Sequence, residues 1–185
     1  MSRKYKIRDQ ARPYFVTFTT ISWIDAFTRN IYRDEFVQSV KYCQKNKGLE
    51  VYSWCIMTNH VHMILGTSGL LTLEGIIRDL KSFTSRSIRK LMEEGTRVRE
   101  SRDWMYDMMK EEGTRNPNNK DFQFWQQHSH PIRLFNNKIA LQKLEYIHQN
   151  PVKAGFVDAA ESWLYSSARD YKGGRGLIDA ILLGS

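Results

Sequence analysis

Residues 54–65 read Trp-Cys-Ile-Met-Thr-Asn-His-Val-His-Met-Ile-Leu, an apolar run rich in β-formers that contains a histidine pair. We predict a hairpin with strands at 50–57 and 60–66, because the two polar residues between them leave room only for a tight connection. Side chains two apart in a strand face the same side, so His60 and His62 project together. They are two ligands of a metal site or two hydrogen-bonded packing residues, and this stretch alone leaves both interpretations open.

Length and composition predict a single folded domain. The chain has 185 residues, of which 41% are hydrophobic, and this is sufficient for one core. Its cysteines, Cys43 and Cys55, have no CxxC or zinc-finger spacing, so we predict buried free thiols in a reducing compartment. The first residues contain no apolar signal core, and no run reaches membrane-spanning length. We therefore expect a cytoplasmic protein without a membrane partner.

The charge balance favours a polyanionic partner. Lysine and arginine number 28 against 20 acidic residues, which gives a formal net charge of +8. The N-terminal segment forms a basic arm with Arg3, Lys4, Lys6, Arg8 and Arg12. One face of a predicted helix carries a polar, mostly basic ridge of Arg78, Lys81, Ser85 and Arg89. Each set is either a phosphate-binding surface or an ordinary solvated one.

The order of the predicted elements indicates the fold class. Besides the hairpin, they are a strand at 14–20, helices at 33–47 and 70–92, a strand at 122–126 and a helix at 137–149. Thr72 and Asn136 are predicted N-caps, Gly48 is predicted to end the first helix, and Pro151 is predicted to end the last one. This β-α-β-β-α-β-α order predicts an α+β fold with a ferredoxin-like split βαβ antiparallel sheet, helices on one face and an added C-terminal helix. The histidine pair would lie on a central strand.

We expect one domain over residues 1–185, with two peripheral parts. Residues 93–121 look like a helical excursion, in which Gly95 and Gly113 are predicted to end helices as C-cap residues. Residues 172–185 form a C-terminal tail.

A second histidine pair, His128 and His130, follows the strand predicted at 122–126 and precedes Pro131. This pair lies at the polar end of the strand rather than inside an apolar run. We therefore expect surface or phosphate contacts, an auxiliary role, rather than a metal site.

The last predicted helix carries Tyr146 and Asn150, which share one face because they lie four residues apart. Taken alone, the two residues indicate a packed aromatic ring and a helix cap. Beside the histidine pair they have a second interpretation, in which the Asn150 amide oxygen is a third metal ligand. Tyr146 would then lie about one helical turn from the metal.

These motifs together resemble a known family. The segment His60-Val-His62 is similar to a histidine–hydrophobic–histidine (HUH) motif. Residues 146–155, Tyr-Ile-His-Gln-Asn-Pro-Val-Lys-Ala-Gly, resemble the nucleophile segment of single-tyrosine HUH transposases, particularly REP-associated tyrosine transposases, and residues 165–171 resemble a further block. The resemblance spans residues 12–171 in the family's order. Thr58 departs from a common proline, and the excursion is longer than in compact relatives, so monomer and homodimer both stay open.

The resemblance implies a sequence- or hairpin-specific single-stranded DNA endonuclease and strand transferase. Tyr146 would form a 5′-phosphotyrosine intermediate, with Mg²⁺ or Mn²⁺ held by His60, His62 and Asn150, and His148 is a weaker candidate for proton acceptance. The partner would be single-stranded, hairpin-containing DNA of the nucleoid. The candidate DNA-binding residues are Arg3, Lys4, Arg12, Arg78, Lys81, Arg89 and Lys153.

Two other functions remain open at this point. The first is a non-catalytic nucleic-acid-binding module, which would leave His60, His62, Tyr146 and Asn150 without a role. The second is a metal-dependent phosphodiesterase that uses water as the nucleophile, with a structural Tyr146. Metal-dependent nicking excludes the first alternative, and a covalent protein–DNA adduct excludes the second.

Overall fold

A computed structural model of the chain describes residues 7–94, 103–117, 121–127 and 129–184. Within these residues the strands are β1 (Tyr14–Thr19), β2 (Leu49–Ile56), β3 (His60–Thr67) and β4 (Ile132–Arg133). The helices are α1 (Asn30–Lys47), α2 (Leu73–Glu94), α3 (Asp103–Arg115) and α4 (Asn137–Lys153).

The four strands form one antiparallel sheet in the order β2-β3-β1-β4. The predicted hairpin is confirmed, and the backbone N–H of Met57 donates to the carbonyl of His60 across its turn at 2.8 Å. β1 pairs with β3 in a register that places Thr17 opposite His62 and Thr19 opposite His60. The fold is the predicted α+β ferredoxin-like arrangement, and the histidine pair lies on a central strand.

Helix ends follow the predicted capping chemistry in three places. α1 ends at Gly48, whose φ of 71° is left-handed, and a Cβ there would lie 2.3 Å from the Ser68 hydroxyl. The Thr72 hydroxyl accepts from the N–H of Gly75 at 3.3 Å. The Asn136 side chain accepts from the N–H of Ile139 at 2.9 Å, so both predicted N-caps are confirmed.

The sheet has a separate hydrophobic core on each face. The larger core packs α1, α2 and α3 against one face, and it contains an aromatic group of Phe18, Phe27, Phe36, Phe124 and Trp125. The smaller core packs α4 against the opposite face through Phe15, Cys55, Ile64, Leu144 and Ile147. Both cysteines are buried free thiols, as predicted.

The predicted strand at 122–126 is wrong. The segment runs extended beside the end of β1 but makes only one isolated bridge, between Thr20 and Trp125. Its side chains do not alternate between core and solvent, because Phe122, Phe124 and Trp125 are all buried. The Gln123 amide also donates to the Trp125 carbonyl at 3.0 Å, a local bond that replaces ladder pairing. The fourth strand is the short β4 instead.

The predicted role of Gly113 is also wrong, since α3 continues through it to Arg115. A Cβ at Gly113 would lie 2.3 Å from the backbone nitrogen of Phe122, so glycine is required there for a close chain crossing. α3 buries Met105 and Met109 in the larger core, and this helix of the excursion is therefore packed against the sheet domain. Gly95 lies outside the described residues.

Pro151 does not end α4, which continues to Lys153. Proline removes one N–H donor and disturbs the turn before it, but the residues that follow can still donate. The N–H of Ala154 bonds the Asn150 carbonyl at 3.0 Å, and that of Phe156 bonds the Pro151 carbonyl at 2.9 Å. The last turn of α4 therefore forms around the proline and keeps Asn150 inside the helix.

Candidate active site on the α4 face of the sheet

The histidine pair of β3 faces α4. The ring centroids of His60 and His62 lie 4.6 Å apart, whereas Val61 between them packs into the larger core on the opposite face. His62 is buried, with 6% of its surface exposed, and His60 is partly exposed. The period of the strand thus places both imidazoles side by side, as predicted.

Each imidazole is held through its Nδ1 atom. Nδ1 of His62 lies 2.8 Å from the Thr17 hydroxyl, and Nδ1 of His60 lies 2.7 Å from the Asn59 side-chain oxygen. When Nδ1 carries the ring proton and donates it to these oxygens, Nε2 keeps its lone pair. Such a hydrogen bond at the remote nitrogen is the usual means of orienting a metal-binding histidine.

Burial keeps both rings neutral. It lowers the pKa of His62 to about 3, with further lowering from His60 and from the ammonium of Lys143. Burial also lowers the pKa of His60, while a hydrogen bond with the Asn150 side chain and the Asp25 carboxylate act in the opposite direction. Neutral imidazoles are the form that binds metal ions.

Tyr146 approaches the pair from α4. Its hydroxyl lies 3.4 Å from Nε2 of His62, and the two ring centroids are 5.1 Å apart. Phe15 of β1 stacks on His62 at 5.4 Å and meets the edge of Tyr146 at 6.0 Å, so it fixes the spacing between them. Tyr146 keeps 41% of its surface exposed, so the residue lies at the surface rather than inside the core.

Asn150 lies one turn further along α4. Its amide nitrogen donates to the Tyr146 carbonyl at 3.2 Å, and its side chain lies close enough to His60 to act on the pKa of that imidazole. Because the amide NH₂ is directed along the helix, its oxygen is the atom available to the histidine side. The structure thus brings together four predicted site residues, namely His60, His62, Tyr146 and Asn150.

The donor set fits a divalent cation. Two neutral imidazoles with oriented Nδ1 atoms and one amide oxygen supply three uncharged ligands, and other positions stay open for substrate oxygens. Among the described residues, no group of three or more histidine, cysteine or acidic side chains could hold a metal ion. Within the described residues, an amide oxygen is therefore the ligand that would complete a three-ligand set with the histidine pair.

The predicted basic ridge of α2 is engaged within the protein. Lys81 donates to the carbonyls of Gln126 and Gln127 at 2.6 and 3.3 Å, and burial lowers its pKa to about 8. Arg89 forms a two-pronged ion pair with Asp121 at 2.8 and 2.9 Å. Arg78 is exposed and pairs with Asp79 at 3.2 Å. These contacts favour a structural role for Lys81 and Arg89, while their DNA contacts stay a prediction.

The remaining predicted residues lie apart from the site or outside the description. Arg12 is exposed just before β1, and Lys153 is exposed in the last turn of α4. His130 is exposed, and its φ of 39° is left-handed. Arg3, Lys4 and His128 lie outside the described residues.

His148 belongs to a separate buried network on α4. Its Nε2 atom lies 2.9 Å from the Ser167 hydroxyl and 3.3 Å from that of Ser53, and burial lowers its pKa to about 4. Its ring meets the edge of Tyr171 at a centroid distance of 5.1 Å. These contacts join α4 to β2 and to the C-terminal region, and none of them involves the Tyr146 hydroxyl.

Lys143 is a further residue of this site that was not predicted from the sequence. Its ammonium lies 4.6 Å from the ring centroid of Phe15 and 5.3 Å from that of Tyr146. The helical spacing of three residues between Lys143 and Tyr146 was a usable signal. Thr17 and Asn59 were missed as well, because only strand pairing and the turn bring their oxygens to the imidazoles.

No helix in the described parts of the chain is long and apolar enough to cross a membrane.

Comparisons with known proteins show the family and the fold. The family described as Transposase IS200 like matches residues 13–107. The chain is 28% identical over 147 residues to a putative REP-associated tyrosine transposase of Haemophilus influenzae, and the alignment covers 76% of this chain and 72% of that protein. The solved structure of a REP-associated tyrosine transposase bound to a REP hairpin has a similar fold, with a TM-score of 0.62 at 17% identity. That similarity covers 100% of this chain and 94% of the other.

The region that matches the family includes His60 and His62 but ends before Tyr146, so the assignment of the nucleophile stays a prediction. The match covers more than half of the chain. The protein therefore belongs to the IS200-like transposase family, and it is a transposase.

Proposed function

We propose that this transposase cleaves and rejoins single-stranded, hairpin-containing DNA through a covalent bond to Tyr146. The observation that carries the proposal is the position of the Tyr146 hydroxyl, 3.4 Å from Nε2 of His62 on an accessible face of the molecule. The tyrosine nucleophile and the cation held by His60 and His62 would then act on the same phosphate.

The chemistry is a transesterification at phosphorus. The Tyr146 oxygen, once its proton has left, forms a bond to the scissile phosphorus, and the bond from phosphorus to the 3′ oxygen breaks. The 3′ oxygen takes up a proton and leaves as a hydroxyl group, while the 5′ side stays attached as a phosphotyrosine diester. One phosphodiester replaces another, so a 3′-hydroxyl can reverse the reaction without a nucleotide cofactor.

His60, His62 and Asn150 would hold the divalent metal ion that transposases of this family generally use. When bound, the ion supplies Lewis-acid polarisation of the scissile phosphate. Both Mg²⁺ and Mn²⁺ accept an amide oxygen, and two imidazole ligands favour Mn²⁺. Thr17 and Asn59 orient the two rings, and Lys143 adds a positive charge beside the nucleophile.

Support for a hairpin substrate comes from the relatives. The structurally similar REP-associated tyrosine transposase is bound to a REP hairpin, and the Haemophilus relative is a putative REP-associated transposase. The net charge of +8 suits a polyanionic partner. Arg12 and Lys153 are the predicted DNA-binding residues that lie exposed outside the engaged α2 ridge. Acting on chromosomal single strands, the protein would work in the cytoplasm.

The test is a denaturing gel of the purified protein with end-labelled single-stranded hairpin DNA and Mn²⁺. The hairpins are taken from the sequences that flank its own gene. We expect a slowly migrating covalent adduct with the wild type and none with Tyr146→Phe, which retains the ring but lacks the attacking oxygen. Tyr42→Phe is the matched control, because Tyr42 is also exposed (59%) but lies on α1.

An adduct of normal yield in Tyr146→Phe would remove this residue from the role of nucleophile. Nicking without any adduct would favour the water-using phosphodiesterase. Tight DNA binding without nicking or adduct would favour the non-catalytic module.

A further inference from the structure

The turn between β1 and α1 presents a tryptophan to solvent beside the histidine pair. Trp23 is 60% exposed, and its ring meets the edge of His60 with a centroid distance of 6.3 Å and an interplanar angle of 71°. His60 in turn contacts His62, and His62 contacts Tyr146. The indole is thus connected to the tyrosine through the two imidazoles.

The backbone of this turn adopts an unfavourable conformation. Ser22 and Trp23 have φ values of 50° and 56°, in the left-handed region that residues with a Cβ rarely occupy. A bulky aromatic residue is especially uncommon there, and neither residue is buried. The exposed tryptophan therefore contributes little burial to folding, although its backbone is strained. This combination is typical of functional positions.

The turn is nevertheless held in place. The buried Thr20 hydroxyl lies 2.7 Å from the carbonyl of Ile24 and 2.9 Å from that of Asn59. The N–H of Phe27 donates to the Thr58 carbonyl at 2.8 Å. Two of these three acceptor carbonyls, those of Thr58 and Asn59, belong to the turn that precedes His60. Trp23 is thus fixed relative to the metal-binding histidines rather than carried on a free loop.

We propose that Trp23 is a stacking platform for a base of the single-stranded DNA next to the scissile phosphate. This inference rests on the proposed function, because it requires a single strand that passes the histidine pair. An exposed aromatic ring binds unpaired bases of any sequence, and its rigid placement sets which nucleotide it meets. Trp23 would position the scissile phosphate over His60 and His62 without taking part in bond making or breaking.

The experiment combines protein variants with abasic DNA. Wild type, Trp23→Leu, Trp23→Phe and the control Trp104→Leu are compared, since Trp104 is similarly exposed (52%) but lies on α3. The probes are hairpin oligonucleotides from the flanks of the gene, with one abasic residue moved through the single-stranded part. Affinity is measured by fluorescence anisotropy in EDTA, and adduct formation is measured separately with Mn²⁺.

We expect Trp23→Leu to lower affinity by about 5- to 100-fold, Trp23→Phe to lower it less, and Trp104→Leu to leave it unchanged. An abasic residue at one position should lower the affinity of the wild type by a similar factor. The same abasic residue should hardly change the affinity of Trp23→Leu, because that variant already lacks the indole on which the base would stack. Equal effects of every abasic position in wild type and Trp23→Leu would overturn the proposal. So would an affinity loss in Trp23→Leu that no abasic position reproduces.

A second variant separates positioning from folding. Trp23→Gly relieves the left-handed strain, so its melting temperature should not fall, although its DNA affinity falls like that of Trp23→Leu. A lower melting temperature with unchanged DNA affinity would show a structural role and overturn the proposal. Anisotropy in EDTA needs no cleavage, so the two failures are distinguishable. Adduct formation without position-specific stacking would overturn this inference alone, whereas stacking without any adduct would contradict the proposed function and with it the positioning of a scissile phosphate.

Discussion

The two faces of the central strand β3 serve different purposes. Val61, Met63 and Leu65 point toward α1 and α2, are fully buried and belong to the larger core. His60 and His62 point toward α4, where they meet side-chain oxygens, an aromatic ring and a tyrosine hydroxyl. One face of the strand thus packs apolar side chains into the larger core, and the other combines a small core with a reactive group.

Stability and chemistry are thus separated on the two faces of one strand. The face of α1 and α2 contains most of the large buried aromatic residues, so it contributes most of the hydrophobic stabilisation. The α4 face can therefore carry polar side chains and a partly exposed tyrosine at little cost in folding free energy. Substitutions of polar residues on the α4 face should therefore change activity, whereas substitutions on the face of α1 and α2 should change the free energy of unfolding.

The largest effect on activity is expected from the polar face. His62→Ala removes one imidazole of the metal site, and adduct formation should fall by roughly 100- to 1,000-fold, because Lewis-acid stabilisation is worth several kcal/mol. The measurement is the initial rate of adduct formation across a Mn²⁺ titration. Full activity of His62→Ala would contradict this role and would favour His128 and His130 as the functional histidine pair.

On the opposite face, Met63→Ala should act on stability rather than chemistry. Deleting a fully buried side chain costs about 2–5 kcal/mol in the free energy of unfolding, through lost burial and the cavity that remains. Denaturant unfolding measures the loss, and the adduct rate per folded molecule should stay within a factor of about two. A specific fall in that rate would mean that the two faces are coupled.

A smaller effect is expected from the residue that orients His62. Thr17→Val keeps the shape of the side chain but removes the oxygen that lies 2.8 Å from Nδ1, so Mn²⁺ affinity should fall by about 10- to 100-fold. Calorimetric Mn²⁺ titration tests this. Thr19→Val is the matched control on the same strand and face, since its hydroxyl bonds neither histidine within the described structure. Equal losses in both variants would refute a specific role of Thr17.

The smallest effect is expected at the edge of the site. Lys143→Gln removes the ammonium beside Tyr146 and should slow adduct formation by about 5-fold, since a partly exposed charge contributes about 1 kcal/mol. Lys138→Gln, also on α4 but without a ring contact to Tyr146 in the described structure, should leave the rate unchanged. The difference in rate between Lys143→Gln and the wild type should shrink as the salt concentration is raised. A loss of rate that does not depend on salt would indicate a packing effect instead of a charge effect.

The sequence predicted those features that depend on local periodicity. Alternation in β3, the capping oxygens of Thr72 and Asn136 and the glycine after α1 are short-range patterns, and the structure confirms each of them. The errors occurred where a distant segment overrides the local pattern. Gly113 is required by the crossing of Phe122 rather than by a helix end, and the segment before β4 is buried without regular pairing.

The candidate site shows the same division. The histidine pair and the Tyr146–Asn150 helix face were predicted because each depends on spacing within one element. The basic ridge of α2 was predicted from spacing as well, but the engagement of Lys81 and Arg89 depends on residues 121–127, which no local pattern places beside them. Trp23 was missed because it belongs to no motif, and Lys143 was missed although its helical spacing from Tyr146 was a usable signal.

What the amino-acid order alone established is the chemistry available: two imidazoles on one side of a strand, and a tyrosine and an amide on one side of a helix. The facing of these two elements results from tertiary packing and from no local pattern. The partners of His62 lie 45 residues away, at Thr17, and 84 residues away, at Tyr146. Strand geometry fixes side-chain direction at a period of two residues, whereas contacts over such separations exist only once sheet pairing and helix packing have brought the elements together.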